Sequence, residues 1–288
     1  MLSKLYKHEF KALLRWFIPI WCAIIALSIL NRVSSEIGNL LQIGLFSEEY
    51  NQYELPEILV VIYSVFSTSL TVLYSMGIMA AFVLCIIVIA LRFYKNLFTS
   101  EGYFTFTLPF TPMQHLVCKL LCGVIMFIAS VFVVLTSLLI VGVGTDVFNE
   151  FITQNLDLLN VLIQSGSGFS VFMLFNECVI LLLLSIFVSL LGFYCSISFG
   201  QAFRNKIGGS ILSYLIISAI SEAVLSAVVT VIMIVALIFP QFFEWFGSLD
   251  TFVILHVILW FMIALYAGMG LVFFKITHKR MATKLNLN

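Results

Sequence analysis

Long apolar runs free of charge recur from one end of this 288-residue chain to the other, and they limit its fold more than any other feature. A helix crosses the hydrocarbon core of a bilayer with about 20 consecutive, mostly apolar residues. Runs of that kind read as Phe17 to Asn31, Ile58 to Leu91, Leu116 to Val143, Phe169 to Phe199, Ile211 to Phe239 and Thr251 to Phe274. Only 10% of the residues are charged and 62% are hydrophobic, against about 25% and roughly 45–50% in soluble domains. A water-facing surface cannot be built from so few charges. In lipid each backbone polar group must be satisfied within the protein, which favours helices. The expected fold class is an all-α membrane protein with six transmembrane helices, preceded by an N-terminal amphipathic interface helix.

That first helix is expected over residues 1–16. At about 100° per residue Lys4, Lys7, His8, Lys11 and Arg15 fall on one stripe, with Leu2, Leu5, Tyr6, Phe10, Leu13 and Phe17 opposite. Such a helix lies in the membrane interface, and its charges interrupt any signal-peptide core. Glu9 projects towards the apolar edge, so it either snorkels to the surface or is received by a protein partner. The first apolar run is short and borrows its opening turn from this segment, with Pro19 expected to kink the junction. The second run would reach about 51 Å as one helix, so it either protrudes or carries a separate outer segment. The expected division is residues 1–16 as interface helix, 17–275 as the transmembrane domain with a loop at about 94–115, and 276–288 as a basic tail.

Basic residues orient the spans. Lys4, Lys7, Lys11, Arg15, Arg92, Lys95, Lys119, Arg204, Lys206, Lys275, Lys279, Arg280 and Lys284 all fall on one side, and of the 14 Lys and Arg only Arg32 falls on the other. By the positive-inside rule both termini are expected on the cytoplasmic side of a multi-pass membrane protein. The opposite loops hold the acids Glu36, Glu48, Glu49, Glu54, Glu57, Asp146, Glu150, Asp157, Glu244 and Asp250.

The formal net charge is zero, which argues for no nucleic-acid partner. The six cysteines follow no disulfide or metal spacing, and His115, Cys118 and Cys122 form the one metal-like set, short of the fourth ligand that zinc requires. No H-E-x-x-H helix, G-x-S-x-G elbow or G-x-x-x-x-G-K-[ST] loop occurs. No cofactor is expected on the chain, and ATP chemistry, if used, must come from another chain.

Chemistry inside the spans rests on a few polar groups. Glu177 and Glu222 lie within apolar runs, and an intramembrane acid is costly enough to suggest function. Ser218, Glu222 and Ser226 recur at i+4 with Ser221 beside them, and Ser64, Ser67, Thr68, Thr71 and Ser75 make a similar strip on the second run. Two readings stand side by side: these strips line a substrate path, or their hydroxyls bond back to their own helix and glue helices together. Asn176 is placed to share the hydrogen bonding of Glu177. An ion-coupled carrier using Glu177 or Glu222 is an alternative, and an intramembrane enzyme using Glu222 and His256 is another. Gly192, Ser196 and Gly200 follow a small-xxx-small pattern suited to close packing, and Gly268 and Gly270 in the last span carry the same packing expectation.

The loop between the second and third runs is aromatic and nearly uncharged: Tyr103, Phe104, Phe106, Leu108, Pro109 and Phe110 follow Glu101 and Gly102. Such a cluster suits a membrane surface or a docked partner. Thr111 followed by Pro112 predicts the N-cap and first residue of the next helix. Together Lys7-His8-Glu9-Phe10-Lys11-Ala12, Tyr94 to Phe98, Glu101 to Pro109 and Phe199-Gly200-Gln201 resemble the bacterial ABC-2 type transporter permeases. The resemblance implies a dimer of permeases, of one or two kinds, on two separate ATPase subunits that bind ATP and Mg. It implies that Glu101, Gly102, Tyr103, Phe104, Thr107, Leu108 and Pro109 form a coupling helix seated on the ATPase, with Glu9 contributing. It also implies that the second and fifth spans border the path, which agrees with Ser67, Thr71, Ser218, Glu222 and Ser226, with Glu177 as a further polar candidate. The long acidic outer loops depart from the family pattern. The expected function is the permease subunit of an ABC exporter for an amphipathic or hydrophobic substrate such as a peptide, lipid or drug.

Overall fold

The computed structural model describes residues 2–46, 57–99, 102, 111–165 and 168–283. These form eight helices and no strand: α1 (Leu2–Phe46), α2 (Glu57–Phe98), α3 (Pro112–Gly142), α4 (Asp146–Ser165), α5 (Gly168–Gly200), α6 (Lys206–Ile238), α7 (Pro240–Gly247) and α8 (Thr251–Thr283). Six of them, α1, α2, α3, α5, α6 and α8, are long and apolar enough to cross a membrane. The remaining two, α4 and α7, connect α3 to α5 and α6 to α8.

No separate interface helix precedes the first span. Leu2–Phe46 is one continuous helix that runs through Pro19, and its buried positions Glu9, Leu13, Phe17, Ile24, Ser28, Asn31 and Ser34 stay in phase at three to four residues along its whole length. The charged stripe of residues 1–16 is therefore the exposed side of a helix whose other side is already committed to the protein. Proline removes only the bond to the carbonyl four residues back, and spanning helices tolerate that loss where neighbours compensate. The long second run is likewise one helix, α2, with no break marking off an outer segment.

The chain divides into two compact units, Met1–Ile89 with Ile125–Gln154, and Ala90–Val124 with Asn155–Asn288. In the first, Ser130 of α3 is the junction. It accepts from Trp21 Nε1 of α1 at 2.9 Å and from the Cys85 thiol of α2 at 3.4 Å, while donating to the Met126 carbonyl at 2.9 Å. Ile24, Ala81 and Val134 form the apolar cluster above it, and Tyr74 bonds Ser137 at 2.9 Å further along. At the acidic end Arg32 pairs with Glu36 one turn on, and its Nη1 reaches the Val141 carbonyl at 3.5 Å. The one basic residue on that side is thus neutralised and stabilises the C-terminus of α3, where the helix dipole favours a cation. Gly144 makes the turn at φ +85°. A Cβ there would also lie 3.1 Å from Arg32 Nη2, a contact that a small shift of the arginine relieves, so the positive φ is what favours glycine.

In the second unit α5 packs between α6 and α8. Gly192 faces Phe273, Gly270 faces Val188, and Arg280 stacks over the Phe199 ring at 4.1 Å. The offset between partners is nearly constant, so α5 and α8 run parallel. Phe193 stacks on Tyr214 of α6 at 4.5 Å, and a Cβ on Gly200 would lie 2.5 Å from the Ser210 backbone nitrogen. The close approach expected of these small residues is observed at Gly200, while at Gly192 a Cβ would meet Phe273 only at an ordinary 3.8 Å, and the two face different helices. Gly270 also packs closely, while Gly268 has nothing within 4 Å.

Candidate functional site

The span residues are best taken from the backbone outward. Glu177 stands nine residues into α5, about 14 Å from the start of the helix. On α8, His256 and Trp260 are four residues apart, a spacing that puts both rings on one face. Because α5 and α8 run parallel in register, both reach the same carboxylate. His256 Nδ1 lies 2.8 Å from Glu177 Oε2, and Trp260 Nε1 donates to Oε1 at 2.9 Å. Glu177 is 7% exposed, and each of its oxygens has a partner. With the carboxylate ionised, the bond to His256 requires the proton on Nδ1. Chemically this is an acid–imidazole pair able to hold a proton within a span, steadied by an indole. Asn176 takes no part, its amide donating to the Phe172 carbonyl at 2.8 Å.

Sequence reasoning placed Glu177 and His256 in spans but did not join them, and it missed Trp260. A polar i, i+4 pair on an otherwise apolar helix was the available signal. It could not name a partner 79 residues away.

The other acid has different surroundings. Glu222 is exposed on α6, with no hydrogen bond to its carboxylate from the described residues. Ser218, Ser221 and Ser226 donate to the Leu215, Ile217 and Ala223 carbonyls of their own helix. The strip on α2 does the same: Ser64, Thr68, Thr71 and Ser75 donate to the Val61, Ser64, Ser67 and Val72 carbonyls. Thr71 Oγ1 also accepts from Asn31 of α1 at 3.3 Å. A shallow open groove of 460 Å³ is lined by Ser64, Val65, Thr68, Ser69 and Val72. The two strips belong to different units. His256 is engaged with Glu177, not with Glu222.

Of the coupling residues, Glu101, Tyr103, Phe104, Thr107, Leu108 and Pro109 lie outside the described residues. Gly102 is described, and its backbone nitrogen donates to the Thr99 carbonyl at 2.8 Å in a turn just beyond α2. The roots of the loop are well defined. At the start of α3, Gln114 N donates to Thr111 Oγ1 at 3.3 Å and Thr111 N to Gln114 Oε1 at 3.0 Å, a reciprocal capping box at the expected N-cap. Phe93, Leu97, Phe98 and Leu116 are buried. Phe93 stacks on Tyr194 of α5 at 3.9 Å, and the Tyr194 hydroxyl donates to the Lys119 carbonyl at 3.3 Å. Glu9 is 6% exposed. His115, Cys118 and Cys122 are buried too, but no group of three or more His, Cys, Asp or Glu side chains among the described residues could hold a metal ion.

The fold and these span-embedded groups define a multi-pass α-helical membrane protein. No family model, curated protein or solved structure matches the chain.

Proposed function

We propose that this chain is the membrane-spanning permease subunit of an ATP-driven exporter of the ABC-2 type, moving an amphipathic or hydrophobic substrate by alternating access. The observation that carries the reading is the way the α2–α3 loop is rooted. The last turns of α2 and the first turns of α3 are buried, stacked on Tyr194 and closed by the Thr111–Gln114 capping box. A push on an aromatic loop with such roots passes to α2, α3 and α5 together, because close-packed interiors move as bodies and do not deform locally. The chain contains no phosphate-binding loop, so ATP and Mg belong on cytoplasmic ATPase subunits, and a second permease, identical or related, completes the path. Glu101 to Pro109 then seats on the ATPase. Ser67, Thr71, Ser218, Glu222 and Ser226 border the path, and Glu9 acts from within the chain through the packing of α1.

The test is a Phe104→Ala, Leu108→Ala double variant. Interfaces depend on a few buried aromatic or aliphatic anchors, so copurified ATPase per permease and substrate-stimulated hydrolysis in reconstituted membranes should both be lost, with membrane insertion unchanged. Glu101→Ala should lower both more mildly. Wild-type association and stimulation in the double variant would reduce the loop to a connector and remove the reading's main support. One observation favours a second reading, an ion-coupled carrier: the Glu177–His256 contact could take up a proton within a span. Its mark is transport that needs a proton gradient and no ATPase.

A further inference from the structure

The acidic connection between α3 and α5 folds as the 20-residue helix α4, and the exporter reading assigns it no role. We propose that α4 is an interfacial helix, lying in the plane of the bilayer surface opposite the basic residues, with lipid as the partner of its apolar face.

The chain itself sets the orientation. Three residues, 143–145, separate α4 from the end of α3, and two residues, 166–167, separate it from the start of α5. Both ends of α4 are therefore tied to the ends of spans at one membrane face. Links this short at both ends favour a helix about 30 Å long lying along that face over one standing away from it. The turn into α4 is built, with Thr145 Oγ1 accepting from Phe148 N at 3.3 Å and Phe148 closing over Gly142.

Periodicity sets the roll of the helix. At 100° per residue Val147, Phe148, Phe151, Ile152, Leu156, Leu158, Leu159, Val161 and Ile163 cover an arc of about 220°, with Gln154 and Ser165 near one edge of it and Asn155 near its middle. Asp146, Glu150 and Asp157 fall within about 40° of one another on the opposite side. Val147 is 78% exposed, and Leu158 and Val161 are each 61% exposed. Arcs this wide face lipid or protein, never free water, since an exposed apolar patch of that size is rare on a soluble surface. The spans carry exposed apolar residues at both junctions as well, Leu139 and Val143 before α4 and Phe169 and Phe172 after it. A helix joined by two and three residues to lipid-crossing spans meets lipid first, which selects lipid as the occupant. The helix has no Lys or Arg, so it holds the membrane by apolar burial, without attraction to anionic headgroups.

The test uses the full-length chain with its six cysteines replaced by serine. Nitroxides are placed by Phe151→Cys, Leu158→Cys and Leu159→Cys on the arc, and by Glu150→Cys and Asp157→Cys on the acidic stripe, in phosphatidylcholine vesicles. Collision with dissolved oxygen should exceed collision with a water-soluble nickel chelate several-fold at the three arc positions, with the order reversed at the two acidic ones. Equal access of the chelate to all five would put the helix in water. Protection of the arc from both reagents would mean that a second copy or another protein covers it. Either result overturns the proposal. Depth that depends on added phosphatidylglycerol would overturn the apolar basis of the contact, and an unchanged depth supports it. Should the cysteine-free chain fail to reconstitute, Leu158→Trp and Asp157→Trp in the native chain provide the same contrast through quenching by brominated lipid. Added quenching for the first alone supports the proposal, and equal quenching overturns it.

Discussion

Glu177 and Glu222 are the same residue in apolar spans of the same unit, yet the fold treats them oppositely. Glu177 is buried and bonded by His256 and Trp260. Glu222 is exposed on a helix whose nearby hydroxyls bond to their own backbone. A carboxylate at membrane depth needs a partner, a wet cavity or a proton. One of these acids finds its partners inside the chain, and the other has none among the described residues. The difference teaches that intramembrane position marks an acid as significant without saying whether it serves packing or transport.

The contrast breaks most visibly under truncation. Glu177→Ala leaves the His256 and Trp260 ring nitrogens without their acceptor and removes one polar contact between α5 and α8, a loss of about 2 kcal/mol by the usual cost of stranding such groups. The expected outcome is a clear drop in the thermal unfolding midpoint of the solubilised protein, read by fluorescence-detected gel filtration, while Glu222→Ala shifts it little. Equal drops in the two variants would erase the distinction.

A subtler substitution sharpens it. Glu222→Gln keeps shape and hydrogen bonding while removing charge, so its stability should stay within about 0.5 kcal/mol of wild type, and transport by the reconstituted assembly should fall. Normal transport at normal expression would leave Glu222 without a pathway role, and failure to accumulate would make it structural like Glu177. The smallest perturbation is topological. Ser3→Cys and Asn288→Cys should change neither stability nor transport, and both should react with membrane-impermeant thiol reagent only after the cells are opened. Labelling of either from outside intact cells would invert the assignment of basic residues to the cytoplasm.

Much of the architecture was legible from the residues because the relevant physics is local. Hydrophobicity summed over some 20 neighbours locates a span, and all six expected runs became spanning helices. The α3 start was also local, since Thr111, Pro112 and Gln114 carry the capping chemistry within four residues. The outer helix α4 was legible in principle, but Asp146, Glu150 and Asp157 first register as an acidic loop, and the helical period emerges only when the apolar residues between them are counted.

What the sequence determined alone is therefore the class of protein and the places where helices cross the membrane or begin, because each depends on contiguous residues and on lipid as solvent. Only the tertiary structure decided that residues 1–16 continue the first span. It also decided that the small residues of α5 serve two different neighbours, and that Glu177 belongs with His256 and Trp260 while Glu222 stays exposed. Those outcomes turn on the phase and register of whole helices. A rotation of one residue, about 100°, exchanges a buried position for an exposed one, and no local window records which rotation the packing selects.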